Sequence, residues 1–103
     1  MVLTVEQFKD KYSAYSLDQM MINKEPFINF INDYNDIRHE IIRKSISASN
    51  ENANELFRAV CNFEITVEEY KTKLNEFDKK CHEWRDSELS KLELTRTKIE
   101  RSW

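Results

Sequence analysis

Apolar residues recur along the chain at the three- and four-residue steps of an α-helix. A first stretch runs Val5, Phe8, Tyr12, Tyr15. A longer one runs Phe27, Phe30, Ile31, Tyr34, Ile37, Ile41, with Ile28 and Ile42 widening the stripe. Leu56, Phe57, Val60 and Cys61 mark a short stretch. The last begins Val67, Tyr70, Leu74, Phe77, Cys81, Trp84 and thins to Leu89, Leu92, Leu94, Ile99 and Trp103.

Local capping chemistry says where these helices start. A capping box pairs a Ser or Thr N-cap with Glu or Gln three residues on, and a hydrophobic staple joins the residue before the cap to the fourth after it. Thr4 with Gln7, Ser16 with Gln19 and Thr66 with Glu69 are boxes, stapled by Leu3/Phe8, Tyr15/Met20 and Ile65/Tyr70. Asn23 carries the staple Ile22/Phe27 and has Pro26 in its first turn, where a missing N–H costs least. Asn52 with Glu55 reads as a fifth start.

The elements that follow are N-terminal helices, a long helix near 24–46, a short one over 53–63 and a last helix of roughly 35 residues from Val67. Ser47–Asn54, SASNENAN, reads as a polar linker. With a short helix reversing the chain, the long helices are expected to run roughly parallel or to splay. Their facing stripes predict a core of Phe30, Ile31, Tyr34, Leu74, Phe77 and Trp84.

Composition sharpens the class. The 103 residues contain no glycine, where average usage gives about seven. That removes the phosphate-cradling loops, the dinucleotide fingerprint, the nucleophile elbow and the glycine turns of β-hairpins. The expectation is an all-α bundle of four to five helices in a single domain, 1–103. Two helices are long, and the C-terminal one overhangs the bundle.

A formal charge of −3 is spread over both halves of the chain, and the short basic clusters Arg38-His39, Arg43-Lys44 and Lys79-Lys80 sit among carboxylates. No basic stripe points to nucleic acid. A helix-turn-helix outline over 53–67 meets Glu68-Glu69 at the head of the would-be recognition helix, two charges of the wrong sign. No run approaches the ~20 apolar residues of a membrane span, and no leader segment is seen in the first thirty residues. A cytoplasmic protein is expected, with Cys61 and Cys81 as free thiols on buried helical faces.

Leu56–Leu74 (LFRAVCNFEITVEEYKTKL) resembles the short helical hairpins of SHOCT-type C-terminal domains, in which a helix, a tight turn and an I-T-x-E-E-[FY] start form one unit. The resemblance covers under a fifth of the chain. It implies a hairpin near 62–66, with Phe63 or Glu64 where the family usually has glycine, and it brings no function with it.

Candidate chemistry is sparse. Cys61, Cys81, His39 and His82 make a zinc set in number, but they lack the paired spacing of structural zinc sites. Asp36-x-x-His39 is half of a di-iron motif whose second copy is absent. Asp33-x-x-Asp36 and Glu83-x-x-Asp86 are acid pairs of the kind that hold Mg²⁺ on phosphates. They support the alternative of an all-helical metal-dependent nucleotide hydrolase. A helical fragment of a larger structural assembly is a further alternative.

The principal expectation is a small non-enzymatic regulatory factor of adaptor, inhibitor or immunity type, with no metal, cofactor, membrane or nucleic-acid partner. It would bind another protein, or a second copy of itself as a dimer, through Leu89, Leu92, Arg96, Ile99 and Trp103. These share one helical face and include residue types favoured at interface hot spots. The contrary expectation is that the N-terminal helices fold over that face.

Overall fold

A computed structural model describes residues 2–103 of the chain. It has four helices and, among the described residues, no strand: α1 (Val5–Ser13), α2 (Leu17–Ile22), α3 (Lys24–Cys61) and α4 (Val67–Ser102). The all-α class and the two long helices are as expected.

The boundaries show which local signals held. Thr4 and Ser16 each form a complete capping box, with Gln7 and Gln19. The Asn23 side chain accepts from the Glu25 N–H at 3.2 Å to open α3, and Thr66 exchanges hydrogen bonds with Glu69 to open α4. The start read at Asn52 does not exist. Ser47–Asn54 is no linker but the middle of a 38-residue helix. Serine and asparagine cost a helix only tenths of a kcal/mol each relative to the better formers. Without glycine or proline after Pro26, nothing in α3 stops propagation. The chain therefore reverses only once after α3, at residues 62–66. Segments of α3 and α4 that face each other are antiparallel, where a parallel or splayed course is expected from the sequence.

That reversal is a Schellman turn. The Phe63 N–H donates to the Val60 carbonyl at 3.1 Å and the Glu64 N–H to the Ala59 carbonyl at 2.9 Å. The residue between must be left-handed, and Phe63 is so, at φ 60°, the one positive φ among the described residues. A β-carbon in that conformation costs roughly 1–2 kcal/mol. Its side chain is 94% exposed and recovers nothing by burial. Phe63→Gly is therefore expected to raise stability by about 0.5–1 kcal/mol, the remainder being offset by the freedom of glycine in the unfolded chain. A thermal midpoint that falls in this variant would show that the ring contributes to the fold.

The chain divides into two compact units. The first comprises residues up to Ile41 together with Glu88–Trp103. Its core is Phe8, Tyr12, Met20, Phe30, Ile37, Ile41, Leu92 and Ile99, with Leu3, Val5, Tyr15, Tyr34, Leu89 and Trp103 packed against it. Rings dominate: Phe8 stacks on Phe30 at 5.2 Å, and Tyr12 and Trp103 meet Phe30 edge-on at 5.2 and 4.9 Å. The capping staples feed this core, since Leu3, Phe8, Tyr15 and Met20 all belong to it.

The second unit is the helical hairpin Ile42–Ser87. Its seam on the α3 side is small and polar. Ser45 Oγ donates to the Cys81 carbonyl at 3.3 Å, and Ser49 Oγ donates to Asp78 Oδ1. A serine that reaches a main-chain carbonyl on the opposite helix needs the two helices close, and small contact residues allow it. The Asn52 amide nitrogen in this seam is buried with no hydrogen-bond partner.

Burial departs from the sequence pattern at the expected core and at one cysteine. Of the expected core, Phe30 is buried, Tyr34, Leu74 and Phe77 are half-buried, and Ile31 and Trp84 are exposed. Cys81 is buried, but Cys61, at the end of α3, is exposed.

Candidate functional site

The expected overhang after Trp84 is not observed. Leu92 and Ile99 are fully buried in the core of the first unit. Leu89 is half-buried against that core. Trp103 lies against Phe27 and Phe30, and its indole N–H donates to the Tyr12 carbonyl at 3.1 Å. The Arg96 guanidinium lies 4.7 Å over the Tyr34 ring, with its Nε on Glu100 at 3.1 Å. These five residues do share one face, but that face is turned inward. Their cover is α1 and α3, so the premise of a helix with nothing of its own to pack on fails.

Asp33 accepts from the Tyr12 hydroxyl and from Lys11 Nζ, the latter at 2.9 Å. Burial works against the Asp33 charge, yet the two donors and the Lys11 charge outweigh it and hold the carboxyl below its ordinary range. Burial first, then Asp33, raises the Tyr12 hydroxyl well above the ordinary phenol value. This is a structural tie between α1 and α3. Asp36 is exposed and Asp86 pairs with Arg85 beside it. Among the described residues, no three His, Cys, Asp or Glu side chains gather to hold a metal ion. Likewise among them, no helix is long and apolar enough to cross a membrane.

The hairpin unit presents a different surface. Only Ser45 and Cys81 are buried in it. Ile46, Phe57, Phe63, Val67 and Trp84 are exposed. A groove of about 360 Å³ runs between its helices, lined by Lys44, Ser45, Ala48, Phe77, Lys80, Cys81 and Trp84. Its α4 wall follows from helical spacing, since Phe77, Lys80, Cys81 and Trp84 lie three, four and seven residues apart. Its α3 wall is low because Ser45 and Ala48 are too small to cover the Phe77 and Trp84 rings, leaving Trp84 43% exposed. Burial, and after it the Asp78 charge, push the Cys81 thiol up, so it stays a neutral apolar lining.

A second hollow, of about 380 Å³, lies at the hairpin tip between Val60, Phe63, Ile65 and Val67, with Glu64 and Glu69. Sequence reasoning missed both places. The sequence pattern puts Phe77 and Trp84 in the core and shows Lys44 and Lys80 only as members of short basic clusters among carboxylates. The available signal was the run Ser45, Ala48, Ser49, Asn52, whose side chains cannot bury an aromatic stripe opposite.

Compared with known proteins, the chain matches no family model, no curated protein and no solved structure.

Proposed function

We propose that the protein is a non-enzymatic binding factor, of adaptor, inhibitor or immunity type, and that it holds another protein through its hairpin unit. The observation that supports this reading is the contrast between the two units. Every large apolar side chain of the buried core cluster belongs to the first, so its exposed Met21, Ile22 and Ile28 border a core. The hairpin buries only Ser45 and Cys81 and leaves Phe57, Phe63, Val67 and Trp84 in water with no such cluster beneath them. Helices with an apolar stripe bury it against a further element, and two helices joined by a tight turn lack that element on their open side. A partner segment supplies it.

The residues originally expected to bind, Leu89, Leu92, Arg96, Ile99 and Trp103, then serve to build the first unit, and the binding surface moves to α3 and α4 of the hairpin. The test is site-specific photocrosslinking in the cell that makes the protein. A benzophenone side chain in place of Trp84 is expected to give discrete adducts with another protein. The same group in place of the exposed Asp36, in the first unit, is expected to give none. No adduct at position 84, or equal adducts at both positions, would overturn the reading.

A further inference from the structure

Resting on the reading of the hairpin as the docking unit, we infer that its groove takes an acidic amphipathic helix of the partner, laid lengthwise between α3 and α4. The shape of the groove comes first. Two antiparallel helices with small residues on one wall leave a trough parallel to their axes, which is the geometry that accepts a third helix through anchors at i, i+3 or i+4, and i+7. Its floor is apolar and aromatic: Ala48, Phe77, Cys81 and Trp84. Anchors of leucine or phenylalanine type meet that floor and supply affinity.

Charge identifies the flanks of the occupant. The groove is lined by Lys44 on one wall and Lys80 on the other, and by no carboxylate. Both lysines are exposed. Along α4, Lys73, Phe77, Lys80 and Trp84 form one stripe at helical steps, so cations and rings alternate. The acids nearest in sequence, Glu40, Glu51, Glu76, Asp78 and Glu83, are not among the lining residues, and Asp78, whose charge reaches Cys81, is half-buried and accepts from Ser49. A chain with a formal charge of −3 thus presents a locally cationic rim around its apolar trough. Complementary charge steers encounter and rejects wrong partners more than it adds affinity. The partner helix therefore carries Asp or Glu on both sides of its apolar stripe. A second copy of this chain is disfavoured as occupant, because a two-fold contact on this patch would bring the same lysine-rimmed surface against itself.

The experiment uses the intact chain and two fluorescein-labelled peptides of about 18 residues, enough for ~27 Å of helix. Both carry leucines at the anchor spacing in an alanine background. One has glutamates on its flanks and the other lysines. Fluorescence anisotropy is expected to show the glutamate peptide binding at least about tenfold more tightly at low salt. Reversing the rim with Lys44→Glu and Lys80→Glu, two exposed positions that leave the fold intact, is expected to invert the preference. Trp84→Asp is expected to weaken both peptides.

Tighter binding of the lysine peptide, a preference that the charge reversal does not move, or no binding of either peptide would overturn the acidic-helix assignment. A dimer in sedimentation that Phe77→Asp dissolves would overturn it in favour of a second copy. Failure of the docking reading itself is read separately, by the absence of crosslinks at position 84.

Discussion

Cutting the chain after Arg85 is expected to unfold the first unit, not to leave a smaller folded bundle. The cut removes Leu89, Leu92, Ile99 and Trp103, two of them fully buried and two packed against the core. What remains of that unit is α1, α2 and the first part of α3, with Phe8, Tyr12, Phe30, Ile37 and Ile41 facing an empty side. Burial of a large apolar side chain contributes about 1.5–3 kcal/mol. The loss of four on one side, and the exposure of those they covered, exceeds much of the roughly 5–15 kcal/mol by which a domain is stable. Circular dichroism should show helix lost from the N-terminal elements in addition to the deleted residues. A truncated chain that keeps their full helicity and melts cooperatively would show that the end of α4 is dispensable, as an overhang would be.

The second large effect separates two phenylalanines that the sequence pattern treats alike. Phe30 is 1% exposed and touches Phe8, Tyr12 and Trp103. Phe30→Ala opens a cavity among rings that cannot close over it, and about 3–5 kcal/mol is the expected loss. Phe77 is half-buried and lines an open groove, so Phe77→Ala leaves little enclosed void. About 1 kcal/mol is expected there, near the centre of the range for ordinary substitutions. Urea titrations of the two variants measure the difference directly. A Phe77 loss equal to that of Phe30 would mean that the groove is filled in solution.

The helix starts were legible because their cause is local. Thr4, Ser16 and Thr66 each bond to a residue three positions on, and a reader of the sequence has every atom involved. What those starts could not give is the register of the two long helices, which depends on where the chain reverses. With a linker at Ser47–Asn54 and a short helix over 53–63 reversing the chain, the stripe around Phe30 meets the stripe around Phe77. With the reversal at Phe63 and Glu64, Phe30 instead faces the end of α4, where Trp103 lies against it, and Cys81 falls opposite Ser45.

One surplus break in α3 thus exchanges the roles of two segments. The residues after Trp84 went from surface to core, and Phe77 and Trp84 went from core to groove wall. The resemblance over Leu56–Leu74 located the true turn, but its usual glycine signal was missing because Phe63 holds the left-handed position at a cost in strain. The groove itself was illegible for the same reason. A half-covered aromatic stripe looks like a core stripe until the residues opposite it are known.

The aromatic placement also gives each unit its own optical probe. The chain has two tryptophans, one at the ring cluster of the first unit and one on the groove of the hairpin. Trp103 is wedged against Phe27 and Phe30 with its indole N–H bonded to a main-chain carbonyl, so its emission is that of a shielded ring. Trp84 is partly in water, so its emission lies further to the red and responds to whatever covers the groove. In chains carrying Trp84→Phe or Trp103→Phe, the remaining indole reports one unit alone. The order in which the ring cluster and the hairpin come apart on heating can then be followed by colour, without attaching a label.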